Sequence, residues 1–502
     1  MDFSEFIETY RNRLKTVFRT EDNINELSLK RGIPSDILRQ VMDCKPLSTF
    51  IPSEYGGRGC KTHEALSMLE ASSYESLALS LMMGINGALF LQPLANYGSE
   101  EIKQDIFTRF LEDQSMGGLM ITEPDYGSDA LRMETSYIKD DNSSNYSITG
   151  TKHWAGLTGQ ADYWLITARM DKQNGSGLGR DIGFFVHDSR NGGIEVEEYY
   201  NNLGLYMLPY GRNKIDITVP EEFKLKPRST GIKMMLDVLH RSRLQFPGMG
   251  MGFLKRLLDE AHKHCKSRLV GGKNLYEYDQ VKRRIARLQM AFTVCSAMCT
   301  HTSTKVPLKR DASTMDVQAN TIKTVTTDLM QEASQSLLQL MGAKGYRLDH
   351  IAGRSLIDSR PFQIFEGSND ILYQQIAESV LKKMRRLKLN NMFDFLKKYE
   401  LTSNVADRFN GLFNFNVDSQ MVQHKMVDMG RILSRVISME FTLRLEEYGF
   451  NRNLINNSLR TLEDKVEQLM TTFKNKDTAD VVDDYEENSA WVRFVAPELQ
   501  YD

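Results

Sequence analysis

Glu366 is the side chain in this sequence best placed to move a proton. It stands in Gln363-Ile-Phe-Glu-Gly-Ser-Asn-Asp-Ile371, between an apolar pair and a glycine, just ahead of a helix that Ser368 is suited to N-cap. Apolar neighbours raise a carboxyl pKa by withholding water, while amides at a helix N-terminus favour the anion. A carboxylate under these opposed influences is a candidate general base, although the same residues also describe a loop acid before an ordinary helix. Two other stretches carry polar groups at useful spacing. The Pro/Gly turn from Met120 to Asp129 puts Thr122, Ser128 and several amides where they can hydrogen-bond a polar heterocycle or a thioester tail. Thr151-Lys-His-Trp154 ends a predicted strand on an indole that could cover a flat ring or fill a core.

Such groups need rigid elements around them, and the texture of the sequence changes twice. Residues 1–118 predict a helical domain, interrupted by the turn-rich Ile51–Gly59. Residues 119–225 carry short alternating segments such as Tyr146–Gly150, Tyr163–Ala168 and Lys214–Val219, with Gly175–Gly179 as a hairpin loop. They predict a middle β-barrel or sandwich. Residues 226–385 return to helix, where Val281, Ile285, Leu288, Phe292, Cys295 and Cys299 mark one buried stripe. Residues 386–502 form an additional helical block with stripes at Val422, Met426, Met429, Leu433 and at Ile455, Leu459, Leu462, Val466, Leu469. The acidic Asp477–Asn488 reads as mobile.

Composition narrows the function classes. A chain of 502 residues needs several cores, and a net charge of −3 gives no electrostatic footprint for nucleic acid. Five cysteines without CxxC spacing argue against a disulfide framework or a metal site, and the acidic N-terminus does not resemble an export signal; both point to the cytoplasm. The uncharged run Ser76–Ser99 contains Asn86, Gln92, Pro93 and Asn96, which predicts a buried helix ending near Pro93 and no membrane span.

Read together, these stretches resemble the acyl-CoA dehydrogenase family, in register from about Pro52 to Leu381. The family's Thr-Glu-Pro…Gly-Ser-Asp stands as Thr122–Asp129, Gly-x-Lys-x-Trp as Gly150–Trp154, and Arg-x-x-x-Gly-Lys as Arg268–Lys273. Gln-x-x-Gly-x-x-Gly-Tyr stands as Gln339–Tyr346, and Glu-Gly-Thr as Glu366–Ser368. The resemblance implies an α+β chain: an N-terminal helical domain, a middle β domain, a C-terminal four-helix bundle, and here an extra C-terminal helical domain. It also implies FAD between the β domain and the later helices.

By the same resemblance Glu366 removes the α-proton of an acyl thioester while the β-hydrogen leaves as hydride to the flavin, giving an α,β-enoyl product. Thr122 and Trp154 would meet the flavin ring, and Ser128, Arg243 and Gly367 the substrate. Arg268, Gln339 and Gly342 would reach FAD from a neighbouring subunit of a homodimer or homotetramer, and Ser368 and Asp370 would hold further FAD atoms. Some relatives keep their base one residue before the Arg243 position, where this chain has Ser242, which cannot serve. Departures fall at Gly156, His240, Gly271, Asp279 and Ala343. The implied substrate is an acyl-CoA or acyl-carrier protein, and the electron acceptor an electron-transfer flavoprotein or oxygen. An oxidase of the same fold, or a catalytically quiet member working as a binding or assembly protein, are the alternatives.

Overall fold

The computed structural model describes residues 1–140, 143–172, 177–306, 308, 311–418, 420–475 and 481. Residues 173–176 of the expected hairpin loop, and the acidic stretch apart from Val481, lie outside the described residues. The chain begins with helices. α1 (Phe3–Thr16) starts where the Asp2 carboxylate accepts the Glu5 amide at 2.9 Å, and it buries Phe6, Tyr10 and Leu14 at a spacing of four. It packs on α2 (Thr62–Glu75).

The uncharged run does not end at Pro93. α3 (Leu77–Gly84), a π-helical turn (Ile85–Leu91) and α4 (Gln92–Tyr97) follow one another without a break. Pro93 lies in the first turn of α4, where the wider π turn ahead of it relieves the clash and missing donor that a proline imposes on a regular helix. The run is long and apolar enough to cross a membrane, yet 94% of its apolar window is buried inside the fold.

Seven strands then curl into one sheet: β1 (Gly117–Met120), β2 (Ser136–Lys139), β3 (Asn145–His153), β4 (Tyr163–Asp171), β5 (Leu178–Asp188), β6 (Ile194–Tyr199) and β7 (Gly211–Pro220). β1 and β2 pair in parallel, end to end, with one edge of β4, while β5 takes the other edge antiparallel. β2, β3, β7 and β6 continue as an antiparallel run. β4 has both its edges paired and is buried on both faces from Tyr163 to Ala168, so it lacks the alternation expected of this segment. β7 instead alternates, with Ile215, Ile217 and Val219 inward.

Four long helices follow: α5 (Gly231–Ser267), α6 (Asp279–Lys305), α7 (Asp316–Met341) and α8 (Asn369–Arg386). α5 crosses α2 so closely that a Cβ on Gly252 would stand 2.0 Å from the Glu70 carbonyl oxygen, so only glycine fits there. Beyond α8, the extension lays α9 (Gln423–Arg444) on α6, α7 and α8, and α10 (Arg452–Lys474) on α6 and α9. The expected α9 stripe starts late: Val422 is the exposed N-cap residue, and full burial begins at Met429, where α9 meets α8.

Candidate active site

The turn carrying Glu366 is bent by two successive left-handed residues, Glu366 at φ 57° and Gly367 at φ 88°. A non-glycine residue in that region costs roughly 1 kcal/mol or more, so its surroundings must hold it. They do so through two buried cations. Arg243 Nε on α5 donates to the Glu366 carbonyl at 2.9 Å, and Lys323 Nζ on α7 donates to the Gly367 carbonyl at 2.8 Å. Arg243 is itself fixed by Asn320 Oδ1 at 2.8 Å.

The Glu366 side chain lines a cavity with Oε2 free of any hydrogen bond. Burial raises its pKa, against the opposing pull of Arg243, Lys323 and the Ser242 hydroxyl. Desolvation therefore wins over the influences that favour the anion. Burial likewise lowers Arg243 to about 10 and Lys323 to about 7. Among the described residues no acceptor meets the Glu366 amide, leaving that N–H open to a ligand oxygen. Ser368 stands at the N-cap of α8, but its side chain makes no capping bond. The inward side chain here is its neighbour Asn369, whose amide meets Lys323, Thr327 and Asp328.

The cavity, about 360 Å³, lies between the sheet and α3, α5 and α8. It gathers Glu366, Gly367, Arg243, Thr122, Ser128 and Trp154. Trp154 is not a core residue: it is half exposed, held at φ 54°, and set against Tyr200 with ring centroids 4.5 Å apart. The motif residues between these points have structural work. Lys152 Nζ, fully buried on β3, donates to Glu123 Oε1 at 2.8 Å and to the Ile121 carbonyl at 2.9 Å, and so clamps the Thr122 loop to the strand that leads into Trp154. Gly156 belongs to the same wall, where a Cβ would stand 2.6 Å from Ile85 Cδ1. The π turn thus fills the space that a larger residue would need.

Other expected site residues lie elsewhere. Arg268, Gln339 and Gly342 are exposed at one end of the bundle and do not line this cavity. Ser368 also lies outside the cavity lining. Asp370 is exposed, paired with Arg431 of α9 at 2.7 Å, and outside this cavity lining. The structure gives surroundings to two residues named above only as departures, His240 and Ser242, and adds Lys323, which no motif singled out. His240, buried in the cavity wall, is held to about pH 4 by burial, and its neutral ring donates Nδ1–H to the Ala312 carbonyl at 2.9 Å, so its Nε2 is an acceptor. Lys323 sits mid-helix with no local signal; only the tertiary fold brings it beneath the turn, 43 residues before Glu366. Ser242, discounted as a base, reappears beside Glu366, where its hydroxyl favours the anion.

The residues present fit a flavin. The Thr122 and Ser128 hydroxyls line the cavity without a protein partner among the described residues, the exposed Trp154 face offers an aromatic wall, and Gly156 leaves backbone beside it. Comparison with known proteins agrees. The acyl-CoA dehydrogenase N-terminal, middle and C-terminal domains match residues 4–114, 118–216 and 229–381. A glutaryl-CoA dehydrogenase of Desulfococcus multivorans is 27% identical over 335 residues, covering 66% of this chain and 84% of that protein. An acyl-CoA dehydrogenase from Bacillus anthracis complexed with FAD superposes at a TM-score of 0.77 with 17% identity, covering 94% of this chain and 88% of that one, extension included. The prolyl acyl carrier protein oxidase AnaB superposes at 0.66 with 18% identity, over 75% of this chain and 99% of its own. The chain belongs to the acyl-CoA dehydrogenase family, with FAD as its cofactor.

Proposed function

We propose that the protein is an acyl-thioester dehydrogenase in which Glu366 takes the α-proton and the β-hydrogen leaves as hydride, giving an α,β-enoyl thioester. One observation carries this reading: Glu366 lines the cavity with its pKa raised by burial, one carboxyl oxygen without a partner and a backbone amide that meets no acceptor among the described residues. FAD, when bound, supplies the acceptor for the hydride. The chain's own residues do the rest. The raised pKa brings the base toward the acidity of a polarised α-carbon. The Glu366 N–H donates to the thioester oxygen as enolate charge develops. Arg243 and Lys323 hold the turn so that both groups of Glu366 face one ligand.

Thr122 and Trp154 serve the flavin ring, and Ser128 at the cavity mouth serves the thioester tail. Arg268, Gln339 and Gly342, away from their own cavity, serve the FAD of a second copy in a homo-oligomer. An acyl-CoA or a carrier-protein thioester both suit the site. The wall includes Gln245, whose Oε1 has no protein partner, so the substrate panel should include acyl groups with a polar atom beside plain alkyl chains. Incubating the FAD-replete protein with such a panel should give a product two hydrogens lighter than its substrate. Peroxide formed in step with product, with no added electron acceptor, identifies an oxidase, the reading that the AnaB likeness favours. A protein that takes up no FAD and changes no thioester in the panel contradicts the proposal.

A further inference from the structure

The extension touches the Glu366 turn through a buried chain of polar side chains. Arg435, buried on α9, donates Nη2 to Asp328 Oδ2 at 2.6 Å and Nη1 to the Tyr373 hydroxyl at 2.5 Å. Tyr373 OH in turn donates to Asp328 Oδ2 at 2.5 Å. The other oxygen, Asp328 Oδ1, accepts Asn369 Nδ2 and Gln363 Nε2, each at 2.8 Å. Asn369 Oδ1 then accepts Lys323 Nζ at 2.9 Å, and the same ammonium bonds the Gly367 carbonyl. Lysine has only donors and an ionised aspartate only acceptors, so the Asn369 amide can sit one way round between them.

Gln363 and Asn369 flank the turn on both sides, so Asp328 ties down each end of the segment that holds Glu366. Asp328 can do so only as an anion, since a protonated carboxyl would turn one of its acceptor sites into a donor. Arg435 is the charge that does most to keep its pKa low against burial. It is also the one cation that α9 delivers to this carboxylate among the described residues.

We propose that Arg435 is a positioning residue for Glu366: by keeping Asp328 ionised, the extension fixes Gln363 and Asn369, and through Asn369 the Lys323 that braces the turn. Without Arg435 the buried carboxyl takes up a proton or draws Lys323 towards itself, and either change loosens Lys323 from the Gly367 carbonyl. The extension is then part of the site's geometry as well as a cover for the bundle. This inference rests on the reading of Glu366 as the base, but its structural half does not.

Two measurements on the full-length, FAD-replete protein separate the halves. Hydrogen exchange over residues 363–373 reports on the turn without any substrate. Arg435→Leu should speed exchange there about tenfold or more, Arg435→Lys should restore much of the protection, and Tyr373→Phe, which removes only the bridging hydroxyl, should give a smaller effect. The rate of flavin reduction by substrate should fall roughly ten- to a hundredfold in Arg435→Leu, its pH profile displaced, while FAD content stays at the wild-type level. If Arg435→Leu does not fold, Arg435→Lys and Tyr373→Phe carry the test in the same order. Exchange that rises in α9 alone, with residues 363–373 as protected as in the wild type, overturns the positioning role. If exchange over 363–373 rises yet Glu366→Gln reduces its flavin normally, the positioning stands and the assignment of the base falls.

Discussion

At the scale of single residues, the environment of one carboxylate decides what the site can do. The Glu366 pKa is raised by burial and held back by Arg243, Lys323 and the Ser242 hydroxyl. Removing the last should release it further. In Ser242→Ala the rising limb of the reduction rate against pH should therefore move to higher pH, because a base of raised pKa is ionised only at higher pH. A limb left in place would show that the hydroxyl does not act on the carboxyl. Gly156 allows a second test. Gly156→Ser puts a side chain onto Ile85 Cδ1, 2.6 Å from the new Cβ, and overpacking of this kind costs about 1–3 kcal/mol. The melting temperature and FAD content should both drop, and Ile85→Val should recover part of the loss; an unchanged melting temperature contradicts the packing argument.

At the scale of elements, the contact between α6 and α9 has a pH dependence of its own. His301 on α6 stacks on Phe441 of α9 with ring centroids 4.0 Å apart, beside Arg444 and Lys305. Burial holds it to about 4, and His240 likewise. An unfolded histidine titrates near 6.5, so the stability these neutral rings contribute is complete above that pH and is lost as pH falls towards 4, up to about 3 kcal/mol each. His301→Phe keeps the stack without the titration and should flatten the fall of melting temperature between pH 6.5 and 4. An equally steep fall in the variant would place the acid sensitivity elsewhere.

At the scale of the molecule, Arg268, Gln339 and Gly342 lie at one exposed end of the bundle, where a second copy can meet them. Gln339→Ala should therefore weaken FAD retention most in dilute protein, as measured by flavin content after gel filtration over a range of loading concentrations; retention independent of concentration would contradict a shared site. Much of this architecture was legible in the sequence, because periodicity reports burial. The α6 stripe follows directly from its apolar spacing, whereas β4, expected to alternate, is buried on both faces. The continuation past Pro93 was not legible, since a π turn leaves no residue pattern. Nor was the cage around Glu366: Lys323, Asn369 and Arg435 are ordinary helix residues until three helices bring them together. The motif segments gave Glu366 its place, but the strain at φ 57° and the free Oε2 are properties of the packed structure. The most direct test of Glu366 as the base is rapid mixing of Glu366→Gln with an acyl thioester that reduces the wild-type flavin. The flavin should stay bound and bleach at least about a hundredfold more slowly; bleaching at the wild-type rate would show that some other group removes the proton.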